Sequence, residues 1–254
     1  MEPRCKTIYQ QKLASGYWRT HLRWRFGTPQ SQALCTLVAT GGMVRSFVIA
    51  IILILPLVAC VSSGGLTESI RNELIEMAAE DQEFRSRLAP MLSTVDFSAP
   101  PTGEFLALVS EQNEIDTRNT LRLREIVDAH GWPQKSEVGE EASKAAQLLV
   151  QHSALEHQKY LLPSLKEAVL QGEADASSMA MLEDDILVVE GNDQIFGTEI
   201  TSSPDGGLML YPVHDPENIN ARRLAVGLPT IEEYIGHAEF ELGRKIDMST
   251  LNQE

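Results

Sequence analysis

The sequence holds only three cysteines, Cys5, Cys35 and Cys60, and two of them lie in a stretch expected to be discarded. One remaining thiol excludes a disulfide framework and a thiolate-held metal. Basic residues are also scarce, 21 against 36 acids, for a net charge of −15. Seven of those bases and one of those acids precede Cys60, which leaves the rest of the chain at −21. A body that acidic repels phosphate backbones, so no nucleic-acid partner is expected for it. It is equally repelled by anionic lipid, so a membrane holds it only through an anchor. No GxSxG, HExxH, GxxxxGK[ST] or helix-opening GxGxxG occurs, so the common nucleophile, zincin and nucleotide templates are unsupported. There is no internal repeat and no low-complexity run. What is present is 43% hydrophobic and 22% charged residues in 254, enough for one ordinary core with room for a second small one.

The front of the chain reads as a targeting segment. Arg45 supplies positive charge, and Phe47 to Val58 is apolar except for Pro56. The run is too short to span a bilayer, which takes about 18–20 apolar residues. It suits the apolar region of a secretory signal. Leu57, Val58, Ala59 and Cys60 resemble the lipobox of bacterial lipoproteins. The resemblance implies cleavage after Ala59, thioether lipidation of Cys60 and acylation, palmitate among the chains, of the new amino terminus. Several acyl chains anchor stably where one is marginal. An uncleaved helical anchor and a buried core helix are the alternatives. The first suffers from Pro56 and the short run, the second from the lack of any polar face. Ser62, Ser63, Gly64 and Gly65 read as a flexible tether within residues 60–66. Residues 1–42 set Tyr17, Trp18, Trp24 and Phe26 among arginines ahead of Met43. Translation is expected to start at Met43, with residues 43–59 as signal peptide. The alternatives are an extended basic leader and a membrane or nucleic-acid role for Trp18 to Arg25.

Helical spacing dominates the body. Residues 67–89 carry Ile70, Leu74, Ile75, Met77, Ala78, Phe84 and Leu88, with Thr67 as a start cap. Residues 91–103, with two prolines and a glycine, read as a loop. A second helix runs from about Glu104 to His130, stopped by Gly131 and Pro133. Gln112, Asp116 and Asn119 fall on its apolar face, where they must be hydrogen-bonded or line a cavity. A third helix starts near Glu140 and runs past Leu155 to Pro163, which kinks or ends it before spacing resumes to Gly172. Ser177 to Val189 reads as a fourth. Gln194 to Ile200 and Leu208 to Val213 flank a turn rich in Ser, Pro, Asp and Gly, a hairpin signal. Helical stretches follow from Pro216 to Val226 and from Pro229 to Leu242. The expected fold is mainly α: one helical domain over 67–242 with a β-hairpin near 194–213 and a tail at 243–254.

Chemistry is thinly signalled. His152 precedes Glu156 by one helical turn, and such a pair shares a metal or acts as a base with its orienting acid. The competing reading is a satisfied histidine at a helix interface. His157 falls off that face and is expected in solvent. Asp184 and Asp185 interrupt an apolar segment; paired carboxylates bind a cation or share a proton, unless one is solvated and the other hydrogen-bonded. Asp215 before Pro216 reads as a helix cap. One of Arg222 and Arg223 is expected to pair with an acid. A buried arginine lacking an acid would instead indicate an anionic ligand.

Five short motifs, in order, carry a resemblance. They are His130-Gly131-Trp132-Pro133, Val138-Gly139, Val150-Gln151-His152-Ser153, Gln194 through Glu199, and Asp215-Pro216 with Arg222-Arg223 and Gly227-Leu228. Over roughly residues 70–235 the chain resembles the domain-of-unknown-function family 6624. It departs from that pattern at Ser153, Asp185, Phe196 and Glu199. The resemblance implies a fold unit and no established reaction. Two functions stay open. One is a binding or structural lipoprotein of the bacterial envelope, facing the periplasm, with the membrane as partner through lipid on Cys60. The other is an enzyme with a polar pocket around His152, Gln194 and Arg222. Catalytic candidates are His152, Asp184 and Glu199; binding candidates are Gln151, Gln194, Thr198 and Arg222. No metal and no cofactor is expected.

Overall fold

A computed structural model describes residues 63–92, 102–203 and 207–252. The leader, the lipobox and Cys60 lie outside the described residues, as do 93–101 of the expected loop and 204–206 of the hairpin turn. The fold is mainly α with a small sheet, as the periodicity indicates. Among the described residues, no helix is long and apolar enough to cross a membrane.

Two long helices, α1 (Ser63–Leu92) and α2 (Gly103–His130), pair side by side. In α1 the buried positions Leu74, Ala78, Asp81, Arg85 and Leu88 alternate in steps of four and three, the spacing of a helix–helix seam. Facing them on α2 are Phe105, Gln112, Ile115, Asn119, Leu123 and Ile126. The ion pairs Glu73–Arg122 and Glu80–Arg118 bridge the two at 2.6 Å each, and their order along the chain makes the pair antiparallel. Thr102 caps α2, its hydroxyl accepting from Phe105 N, and Gly131 at φ 79 closes it. The first helix begins at Ser63, so Thr67 lies within it rather than at its cap, and the expected tether is helical from Ser63.

The third expected helix is two. A short turn α3 (Lys135–Val138) leads into α4 (Glu140–Gln151), which ends at His152; α5 (Leu155–Leu170) then starts afresh. Pro163 stays inside α5, where it costs one backbone bond without ending the helix. Ala142, Ala145 and Ala146 are buried, and their small side chains let α4 lie close to α1. Leu74, Leu123, Leu149, Leu161 and Leu165 are among the residues filling the common core with α6 (Ala176–Val189). Each such leucine, fully removed from water, contributes about 1.5–3 kcal/mol.

The C-terminal third builds a second core. Strands β1 (Ile200–Ser202) and β2 (Leu208–Leu210) pair antiparallel, with Ile200 opposite Leu210. The hairpin is therefore shorter than 194–213, and its outer ends meet only in a bridge between Gln194 and Val213. The tail is structured: β3 (Ile246–Asp247) adds parallel to β2, and a 3-10 turn (Ser249–Asn252) follows. A 3-10 turn (Pro216–Asn218), α7 (Ile219–Ala225) and α8 (Ile231–Leu242) cover the sheet, α8 opening on a capping box of Thr230 and Glu233. Ile200, Leu210, Ile219, Ile231 and Ile235 form much of this core.

Candidate ligand-binding centre

Where α1, α2 and α4 meet, the apolar seam gives way to one layer of charge. Arg85 donates from Nε to Asp81 Oδ1 at 2.8 Å and from Nη2 to Asp116 Oδ1 at 2.6 Å. Gln112 Nε2 donates to Asp116 Oδ1 at 2.8 Å and to Asp81 Oδ1 at 3.3 Å. His152 Nδ1 lies 2.9 Å from Asp81 Oδ2, which also accepts from Gln82 Nε2 at 2.8 Å. Facing an ionised carboxylate, that ring nitrogen is the donor. Asp81 and Gln112 are fully buried, and only the Asp116 side chain, 15% exposed, opens the layer to water. Asn119 ties α2 to α1 through Met77 O, and the Thr120 hydroxyl donates to Asp116 O within α2.

Local geometry places each member. Asp81 and Arg85 are one helical turn apart on α1, and Gln112 and Asp116 one turn apart on α2, so each pair projects from one face. His152 is the residue on which α4 ends, held by its own N–H to Leu148 O. Burial opposes ionisation of Asp81, yet the charges of His152 and then Arg85 hold its carboxyl well below the usual range. At Asp116 burial prevails over Arg85 and its carboxyl is pushed up. The layer thus contains a firmly ionised acid and a more readily protonated one joined by a guanidinium. Single donor atoms from Asp81, Asp116 and His152 all lie within 4.8 Å of one another. Gln112 Oε1 is buried and has no hydrogen-bond partner among the described residues.

The acid beside His152 is therefore Asp81, 71 residues away, and not Glu156. Because α4 stops before His152, Glu156 belongs to the next helix and is 81% exposed. His157 is half-buried rather than solvated: Arg124 Nη1 meets its Nδ1 at 3.0 Å and stacks on the Tyr160 ring at 3.9 Å.

The other expected site residues form a different network. Asp184 on α6 is fully buried and accepts from the N–H groups of Ile195, Phe196 and Thr198 and from the Thr198 hydroxyl, all at 2.7–3.1 Å. Burial still pushes its carboxyl up. Gln194 reads both backbone groups of Glu199 and accepts nothing from a second side chain; its Nε2 also reaches Tyr211 O. Tyr234 Oη donates to Thr198 O at 2.7 Å. Arg222 donates to Ile195 O, His214 O and Asp215 O and pairs with the Asp215 carboxylate at 3.0 Å. Asp215 sits at φ 47 and makes no side-chain cap, contrary to expectation. Asp184 and Asp185 are both buried and divide their work, Asp185 accepting from Gln158 at 2.8 Å. Gln151 donates to Ser178 O and Glu199 is buried beside Gln194. Neither Gln194 nor Arg222 bonds to His152, Asp81 or Asp116.

Arg223 is fully buried, and no carboxylate among the described residues forms an ion pair with it. Its Nε and Nη1 donate to the carbonyls of Pro229, Phe196 and Gly197 and the Tyr234 ring lies 4.8 Å away, while Nη2 is buried with no hydrogen-bond partner among the described residues. Carbonyls and a ring face thus take the place of an acid at two of the three guanidinium nitrogens. Gly197, at φ 70, is required here: a Cβ would stand 2.8 Å from Ile219 Cδ1 and 3.0 Å from Ile231 Cδ1.

The chain belongs to the family of unknown function (DUF6624), which it matches over residues 68–247. The match covers every helix and strand that builds either network. No curated protein and no solved structure matches the chain.

Proposed function

We propose that this family member is a lipid-anchored protein of the bacterial envelope, facing the periplasm, whose helical body binds a small polar or ionic ligand at the Asp81–Asp116–His152 layer. The observation that carries the binding reading is the convergence of Asp81, Asp116 and His152, one donor atom of each within 4.8 Å of the others, beside a Gln112 amide whose buried Oε1 has no partner among the described residues. A buried acceptor without a donor costs about 1–3 kcal/mol, a cost that a ligand removes. The layer also reaches water through Asp116, whose side chain is 15% exposed.

Anchoring rests on the lipobox-like Leu57 to Cys60 and on the charge of −21 beyond it, which demands an anchor for any membrane contact. Helix α1 starts three residues after Cys60. At about 3.3–3.6 Å per extended residue, that places the start of the body within roughly 10 Å of an anchored Cys60. The binding layer begins eighteen residues further along the same helix, about 27 Å away at 1.5 Å per residue.

A second reading has one observation in its favour. The 2.9 Å bond from His152 to Asp81 is also the arrangement of a histidine base with its orienting carboxylate. In that case the layer would do proton chemistry, but without Gln194 and Arg222, whose bonds serve the C-terminal loop.

Mass spectrometry of the intact protein from bacterial envelopes tests both parts. The expected result is a chain beginning at Cys60 with acyl chains, and in native spray a bound species that Asp116→Asn loses. An unprocessed chain from Met1 or Met43 overturns the anchoring. A wild-type chain with nothing bound overturns the binding reading.

A further inference from the structure

We propose that the ligand of this layer is one divalent transition-metal ion, held by Asp81, Asp116, His152 Nδ1 and Gln112 Oε1. The proposal rests on the binding reading above and names the occupant.

Arg85 occupies the Oδ1 oxygens of both acids, and Gln112 Nε2 the same two. Asp116 Oδ2 accepts no hydrogen bond among the described residues, and Asp81 Oδ2 accepts from His152 Nδ1 and from Gln82 Nε2. A carboxylate that gives one oxygen to a guanidinium and the other to a metal is oriented by the first contact for the second. Ligand atoms on one ion at about 2.0–2.2 Å stand roughly 3–4 Å apart. The three donors, already within 4.8 Å of one another, need only a small closure. A half-turn of the Gln112 amide replaces its two donated bonds with a metal–oxygen contact and gives Oε1 the partner it lacks. The ion takes the place of the proton on His152 Nδ1, which leaves to solvent.

The donor set identifies the class. Two carboxylates, an amide oxygen and an imidazole form a borderline site that suits zinc, manganese or iron(II). Calcium prefers six to eight oxygens and magnesium an octahedron rich in water, and a buried layer with one imidazole supplies neither. Beyond the acidic pair, the layer brings an imidazole from a third element within reach of both carboxylates, and beside it lies a buried Gln112 oxygen that has no partner until the amide turns.

The test uses the full chain in detergent, stripped with chelator and titrated calorimetrically with zinc chloride, alongside melting curves. One zinc per chain, a raised melting temperature reversed by chelator, and no response to millimolar magnesium or calcium are expected. Asp116→Asn and Gln112→Met, each checked for helix content by circular dichroism, lower zinc affinity at least tenfold, while His130→Ala on the exposed end of α2 leaves it unchanged. Two variants are used so that whichever retains its helix content decides. No stoichiometric binding, or wild-type affinity in a folded Asp116→Asn or Gln112→Met chain, overturns the proposal. If zinc fails but the native chain carries another species lost with Asp116→Asn, only the metal is wrong. If zinc fails and the native chain carries nothing, the binding reading falls as well.

Discussion

The molecule buries charge twice, and it does so by opposite means. In the α1–α2–α4 layer, charged side chains are joined mostly to one another: Arg85 to Asp81 and Asp116, Asp81 to His152. In the C-terminal third, they are joined to backbone: Asp184 to three N–H groups, Arg223 to three carbonyls. Backbone partners cannot be exchanged without moving the loop, so Asp184 and Arg223 define the conformation of residues 194–199. Side-chain partners on rigid helices can be exchanged by rotation about a few χ angles, so the first layer can accept a ligand without refolding. Buried charge alone therefore does not mark a site; what the charge touches does.

The largest expected effect breaks the backbone-held network. Asp184→Ala leaves the N–H groups of Ile195, Phe196 and Thr198 unpaired in a dry interior, and urea denaturation should show a loss of roughly 3–5 kcal/mol. Zinc affinity of whatever fraction stays folded should not change.

Asp81→Asn is next, at about 2–4 kcal/mol near neutral pH, because Arg85 and His152 lose their charged partner in a buried place. Its pH dependence sharpens the contrast. The Asp81 carboxyl is held below its ordinary value in the folded chain, so the unfolded chain takes up that proton first. The stability it contributes is complete above the ordinary carboxylate range near ~3.9 and is lost as pH falls from there toward the folded value. The stability gap between wild type and Asp81→Asn, followed by denaturation from pH 6 downward, should be constant at first and narrow below about pH 4.

Gly197→Ala should cost about 1–3 kcal/mol, read as a lowered urea midpoint, because a Cβ meets Ile219 and Ile231 at a left-handed φ. The smallest effect is Glu156→Ala. That side chain is exposed and apart from His152, so neither melting nor zinc titration should respond.

Much of the fold is legible in the amino-acid order, and the site only in part. The α2 stripe announces itself, because Gln112, Asp116 and Asn119 interrupt Phe105, Ile115 and Leu123, and all of these but Asp116 are buried outright in the structure. His152 is equally visible. Its partner is not, because Asp81 sits in the run Glu80-Asp81-Gln82-Glu83, which reads as a solvated face. The usable signal was spacing: Asp81 and Arg85 continue the four-three alternation of Leu74, Ala78 and Leu88. Glu156 looked like the acid only because the break at His152 to Ala154 carries neither glycine nor proline. Gln194, Thr198 and Arg222 looked like site residues because polar groups near apolar runs are conspicuous, whether they hold a ligand or their own loop. The parallel strand at Ile246 is not legible in the sequence because two residues carry no periodicity.

Hydrogen exchange on the full-length chain, with and without added zinc, tests the difference between the two networks most directly. The account predicts slower exchange on zinc addition in peptides covering residues 77–88, 110–121 and 147–154, and no change over 190–200, where Asp184 already locks the amides. Unchanged exchange in the helical peptides, or protection that appears instead over 190–200, would contradict it.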